Sequence, residues 1–283
     1  MAARRCFRAA PLLCISVSLP LTAQKIEVSP VKPSVLEERL RRGASKAQER
    51  EQNLRDLFES AGCIADRLQE QAVKGGRTPN LICTLEGTED ATVIVAAHYD
   101  KVSNGAGVVD DWSGASMLPS LYDALKGRPR RVRFRFIGFT REEEGLIGSK
   151  FFVKHLDGDE KSKIRAMVNL ECLGLTPTKV WVHRADKKLL DIAARVAQTT
   201  HLEVSGMNVE KVGDSDSRPF ADAGIPVIDF HSVTQETLPI IHSNRDTMSA
   251  IRLQDYQNSY QFLTVFLAYL DLAMEAKAAT EMH

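Results

Sequence analysis

Between residues 34 and 61 apolar positions recur at helical spacing: Leu36, Leu40, Ala47, Leu54, Leu57, Phe58 and Ala61. Ser34 followed by Glu37 predicts a capping box at the start of this helix, and Gly62 suits the left-handed position that ends it. Residues 24–33, with Pro30 and Pro33, read as an irregular lead-in. From about 63 to 98 the pattern turns strand-like, with a turn signal at Gly75-Gly76. Val93-Ile-Val-Ala-Ala97 is a short unbroken apolar run, as expected of a central strand covered on both faces. Val132, Phe134 and Phe136 alternate with Arg131, Arg133 and Arg135, which predicts a half-buried strand. Met167–Leu170, Val180-Trp181-Val182 and Val227-Ile228 are further strands. Lys187–Thr199 reads as a helix, and Leu253, Tyr256, Tyr260, Leu263, Leu267 and Leu270 mark a long closing one. Pro119 falls inside the helix expected after Ser113, a position that favours a kink. Alternating strand and helix signals without repeats predict one α/β domain with a mixed, largely parallel sheet.

Composition changes this picture little. The 283 residues include 37 basic and 37 acidic side chains, 43 % hydrophobic residues and 26 % charged ones. That apolar content disfavours a disordered regulator, and the charge balance disfavours a polybasic nucleic-acid binder. No apolar run reaches the length of a membrane span. The N-terminus is more informative. Arg4, Arg5 and Arg8 precede a mostly apolar stretch, Ala9–Leu21, and then Thr22-Ala23. This is the order of a secretory signal, so residues 1–23 are expected to be a signal peptide and residues 24–283 a single domain, exported to periplasm or medium. A short N-terminal core helix is the alternative, against which Pro11 and Pro20 weigh. Without residues 1–23 the balance is 34 basic against 37 acidic. Of five cysteines, Cys63, Cys83 and Cys172 would remain; export permits one disulfide, and the pairing is open. No Cys-x-x-Cys spacing supports a thiolate zinc site.

Chemistry gathers in five stretches, nearly all of them after predicted strands: His98-Tyr99-Asp100, Asp110-Asp111-Trp112-Ser113-Gly114, Glu142-Glu143-Glu144-Gly145, Asn169-Leu170-Glu171 and His242-Ser243-Asn244-Arg245-Asp246-Thr247. In sheets of this kind, sites form at the carboxyl ends of strands. Two imidazoles and several carboxylates suit zinc or a similar divalent metal. His98, Asp110, Glu143, Glu171 and His242 make a ligand set for two metals, with one bridging carboxylate and two terminal ligands each. Glu142 is then left over as a base. A lone histidine at a strand end is usually structural, and adjacent acids usually mark a solvated helix start. Glu171 is different, because an acid ending an apolar strand is expensive to bury unless a cation meets it.

These motifs, together with Asp216-Ser-Arg-Pro-Phe220 and Ile147-Gly-Ser149, resemble the co-catalytic zinc aminopeptidases, a family that also contains glutaminyl cyclases and glutamate carboxypeptidases. The resemblance spans about residues 85–250. It implies a three-layer sandwich, a mixed, mostly parallel sheet flanked by helices. It also implies two zinc ions, or one in a cyclase, with Asp110 bridging, His98 and Glu171 on one metal, and Glu143 and His242 on the other. Glu142 would be the general base, Asp100 would hold the second ring nitrogen of His98, and Asp216 and Phe220 would shape the pocket wall. The implied substrate is a peptide with a free N-terminus, from which the first residue is hydrolysed. Glutaminyl cyclase, carboxypeptidase, amidohydrolase and non-catalytic receptor-like members are the alternatives. The chain departs from the family pattern in places. Glu171 stands where Asp is frequent, Glu144 where Leu is, and Ile241 where Tyr is. The late tyrosine that donates to the oxyanion in some members has no counterpart, leaving His231 as the candidate donor or substrate contact. Oligomeric state and side-chain preference are not implied.

Overall fold

The computed structural model describes residues 28–209 and 213–274. The expected signal peptide therefore lies outside the described residues. Eight helices and eight strands follow one another among them. They are α1 (Pro33–Leu40), α2 (Ala47–Ser60), β1 (Leu68–Gln71), β2 (Asn80–Leu85), β3 (Thr92–His98), α3 (Ser113–Lys126), β4 (Arg133–Phe139), α4 (Ile147–His155), α5 (Gly158–Lys163), β5 (Ile164–Glu171), β6 (Lys179–Val180), α6 (Lys187–Thr200), β7 (Ser205–Gly206), α7 (Arg218–Asp222), β8 (Val227–His231) and α8 (Leu253–Ala273).

The strands form one sheet in the order β1-β2-β4-β3-β5-β8-β6-β7. The centre, β4-β3-β5-β8, is parallel, and β1, β2 and β6 join antiparallel. The pleat of β3 explains the three layers. Val93, Val95 and Ala97 face a large apolar cluster that includes residues of α1, α2, α3, α6 and α8. Ile94 and Ala96 face the opposite cluster, with Phe152 of α4 and Phe220 of α7. Both sides of the strand are thus dry, which is why its sequence is uniformly apolar rather than alternating. The expected α/β sandwich is what forms. Among the described residues, no helix is long and apolar enough to cross a membrane.

Some local expectations are corrected. The helix expected over 34–61 is two helices, broken between Leu40 and Ala47. The break lets Gly43 lie flat on the Trp112 ring, where an added Cβ would come within 3.1 Å. Ser34 caps nothing: Lys32 is the N-cap and Pro33 opens the helix, its fixed φ already suited to that position. Glu37 instead pairs with Arg41 one turn on, at 2.6 Å. The strand expected at 180–182 stops at Val180, and the Trp181 ring turns out to stack on the Arg184 guanidinium, 3.7 Å away. α3 continues through Pro119.

The open cysteine pairing resolves as Cys63–Cys83, with Cα atoms 6.2 Å apart; Cys172 is free and buried. The bridge ties the end of α2 to β2 across 20 residues. Closing a loop of that size restricts the unfolded chain by about 3 kcal/mol in the chain-entropy account. A Cys63→Ser/Cys83→Ser variant is accordingly expected to lose about 3 kcal/mol in urea denaturation.

Candidate active site

Four parallel strands end on the same edge of the sheet, and their ends carry the chemistry. His98 closes β3, and Glu171 closes β5 beside His231 of β8. Phe139, paired with His98, closes β4, and the loop after it carries Glu142 and Glu143. Asp110 and Asp111 lie in the buried turn before α3 and are joined by a cis peptide bond.

These side chains converge. Asp110 divides its two oxygens: Oδ1 lies 3.1 Å from His98 Nε2, and Oδ2 lies 3.0 Å from His242 Nε2. Glu171 Oε1 is 3.4 Å from His98 Nε2, and Glu143 Oε2 is 3.0 Å from His242 Nε2. Three groups have donor atoms within 4.8 Å of one another: two of them, His98–Asp110–Glu171 and Asp110–Glu143–His242, share Asp110, and the third is His98–Glu142–Glu143. Glu142 sits beside the first group, its Oε2 3.9 Å from His98 Nε2.

Electrostatics sets this cluster apart from an ordinary polar surface. Burial pushes Glu142 up to about 9; the charge of His98 opposes the shift, while those of Asp216 and Glu171 add to it. Burial raises Glu171 as well. For Asp110 burial is outweighed by hydrogen bonds from His242 and His98, which hold its carboxyl well below the ordinary range. Hydrogen bonds to Asp110 and Glu143 lift His242 to about 10. In His98 burial is again outweighed, by the Glu142 charge and by Asp100, Asp110 and Glu171, so its basicity rises. So many carboxylates gathered at low exposure are balanced only by positive charge. Glu143 Oε1, on the carboxylate that meets His242, is buried with no hydrogen-bond partner. An all-nitrogen-and-oxygen donor set with such orphaned atoms fits a divalent metal of the zinc type.

The supporting residues are less legible in sequence. Asp100 lies 3.4 Å from His98 Nδ1, but its stronger bonds are with the next strand's loop: Oδ1 accepts from the Glu142 amide at 3.0 Å and Oδ2 from the Glu143 amide at 3.1 Å. It thereby fixes Glu142 and Glu143 together. Asp246 accepts from the amides of Val109 at 2.6 Å and Asp110 at 3.2 Å, so the acid four residues after His242 anchors the bridging residue. Asn169 donates to Glu171 Oε2 and to Asp229, which also accepts from Ser215 and Ser217. That buried network orients the longer-armed Glu171. The only hint of Asp229 in sequence is an acid inside the apolar run Val227–Phe230. Asp111 Oδ1 accepts from the amides of Gly114 and Cys172. A Cβ at Gly114 would fall 2.6 Å from Asp111 Oδ2 and 2.9 Å from Ala97 Cβ. Gly114→Ala is expected to destabilise the metal-stripped protein by about 1–3 kcal/mol, read by thermal denaturation.

Two of the three expected pocket residues lie elsewhere. A cleft of about 550 Å³ opens over Asp110, Glu142, Glu143, Glu171 and His242, and its far wall includes Leu146, Trp181, Val209, Val233 and Ile241. Asp214 and Ser215 line it, whereas Asp216 and Phe220 lie behind the wall, fully buried. Phe220 packs against Phe139 and Phe152, a core role set by the apolar face of α7. Asp216, pushed up to about 7 by burial, acts on Glu142 only through its charge. His231 does line the cleft. Its Nδ1 accepts from the Val233 amide, so Nε2 carries the proton, 3.3 Å from the Met207 carbonyl. Burial holds this ring neutral by lowering it to about 4.

Known proteins share this arrangement of chain. The chain is 29 % identical over 180 residues to aminopeptidase YwaD of Bacillus subtilis, an alignment covering 61 % of this chain and 39 % of that protein. The chain thus spans well under half the length of this relative. A zinc aminopeptidase structure from Bacillus subtilis superposes with a TM-score of 0.62 at 26 % identity, over 68 % of this chain and 50 % of that one. A glutaminyl cyclase from an Acidobacteriales bacterium shares the fold at a TM-score of 0.68 and 18 % identity, over 89 % of this chain and 100 % of that one. The model of peptidase family M28 matches residues 80–267, a span that holds every residue of the cluster, and the chain belongs to that family.

Proposed function

We propose that this chain is an exported, zinc-dependent aminopeptidase that removes the first residue of peptides with a free amino terminus. The observation that carries the reading is the divided carboxylate of Asp110, one oxygen toward each histidine, with Glu142 alongside. His98, Asp110 and Glu171 would hold one zinc, and Asp110, Glu143 and His242 a second. Bound zinc supplies a Lewis acid for the scissile carbonyl and lowers the pKa of water.

The chain's own residues do the rest. Glu142 has its backbone pinned by Asp100 and its carboxylate at the cleft, so it can take a proton from water and return it to the leaving amine. Ser113 does not act as a nucleophile. Ser113 Oγ donates to the Val109 carbonyl at 2.7 Å and accepts from the Leu173 amide at 2.7 Å, so it is committed within the fold. The apolar wall of Leu146, Trp181, Val209, Val233 and Ile241 supports an apolar side chain on the departing residue. The acid-rich floor supports a cationic amino terminus.

A panel of peptides with free and acetylated N-termini tests this. The expected result is release of the first residue from free peptides only, abolished by a chelator and restored by zinc. Cleavage of blocked peptides, or full activity after metal stripping, would sink it. A peptide beginning with glutamine separates the alternative of the shared fold, since a glutaminyl cyclase would release ammonia and leave the backbone intact.

A further inference from the structure

Arg50 of α2 is fully buried, yet among the described residues no carboxylate pairs with it. All its hydrogen bonds go to backbone carbonyls, and four of the five acceptors belong to one loop. Nε donates to the Tyr99 carbonyl, and Nη2 reaches the Asp100 carbonyl at 3.5 Å and the Gly107 carbonyl at 3.0 Å. Nη1 reaches the carbonyls of Ala106 and Ala44, both at 3.3 Å. The guanidinium also sits 5.2 Å from the Trp112 ring centroid. Tyr99 and Asp100 directly follow His98, and Ala106 and Gly107 shortly precede Asp110. One planar fork therefore clamps both ends of the segment joining two metal ligands.

The charge has a matching purpose. The acids whose fields reach Arg50 are Asp100, Asp111, Asp246 and Asp110, all of them in or directly behind the ligand cluster. Burying a guanidinium is costly, and a helix needing only packing at this position would carry an aliphatic residue. We infer that Arg50 is a positioning residue that holds the His98 and Asp110 segments at a fixed separation and so pre-organises the metal centre. This role exists only if the cluster holds zinc, as proposed above. Lysine could keep the charge but not the five-donor fork, so Arg50→Lys separates geometry from charge.

The experiment measures zinc affinity of purified protein by competition with a chromophoric chelator, alongside the melting temperature of the metal-stripped form. Arg50→Lys is compared with wild type and with Leu54→Ala, a cavity variant on the same helix whose side chain packs beside Gly138 of β4 and makes no hydrogen bond to the loop. Supporting residues behind metal ligands typically contribute 10–100-fold to affinity. Arg50→Lys should therefore bind zinc at least about tenfold more weakly than wild type, and more weakly than Leu54→Ala even where the latter is the less stable protein. Wild-type affinity in Arg50→Lys, or a loss no greater than that in Leu54→Ala, would overturn the role. So would a lysine variant that fails to fold even in excess zinc, since Arg50 would then hold the fold rather than the site. Failure of wild type itself to bind zinc would instead remove the metal-centre reading.

Discussion

Glu142→Gln should bind zinc as the wild type does and turn over peptide about 10²–10⁴-fold more slowly. The amide is nearly isosteric, and the backbone N–H that fixes this residue to Asp100 is untouched. What is lost is a carboxylate at the cleft that stands outside both of the groups sharing Asp110. Glu142 stands 3.9 Å from His98 Nε2, farther than Asp110 or Glu171 at 3.1 and 3.4 Å. Its burial and the neighbouring charges of Asp216 and Glu171 favour the protonated acid, and only positive charge on the far side keeps it available as a base. That is the environment of a group meant to pick a proton up and set it down. Zinc content by elemental analysis, measured on the same preparation as kcat, decides the assignment. If zinc is lost along with activity, Glu142 is a ligand, and the group His98–Glu142–Glu143, whose donor atoms also lie within 4.8 Å of one another, becomes the better description.

The residues of the cluster were legible because they break a local rule. Glu171 ends a strand whose other residues from Ala166 to Leu170 are buried, and His98 ends one buried throughout, so each polar side chain announces a partner that the chain segment itself does not contain. The strands themselves were legible for the converse reason, since an unbroken apolar run such as Val93–Ala97 has few other homes. Arg50 was invisible. It lies in the run Glu49-Arg50-Glu51, which reads as a solvated helix face, and only the tertiary approach of the 99–107 loop buries it. The helix break near Gly43 was hidden likewise, because the Trp112 ring that demands it comes from a distant segment. Asp216 and Phe220 show the limit of motif transfer. The motif brought the right segment to the site, but its pleat and helical phase decide which side chains face the cleft, and those are Asp214 and Ser215.

Asp110→Ala should leave the protein with almost no bound zinc, whereas His242→Ala should lose one of two ions. The difference follows from geometry. Asp110 belongs to both ligand groups, so its removal leaves His98 with Glu171 and Glu143 with His242. Catalytic zinc sites ordinarily need three protein ligands, and two are too few on either side. His242 belongs to one group only, and its side chain is 55 % exposed against 1 % for His98. The group containing His242 is therefore the one open to solvent, and the group containing His98 should survive its loss. Peptidase activity should fall to background in Asp110→Ala and by a smaller factor in His242→Ala, with part of the latter returning at raised zinc concentration. Mass action refills a weakened site but cannot replace a bridging ligand. The measurement is zinc per chain after gel filtration in metal-free buffer, followed by zinc titration of activity. Retention of one ion by Asp110→Ala would show that its two oxygens do not bridge. The site would then be a single zinc held by one group, and the cyclase chemistry of the same fold would become the stronger reading of this chain.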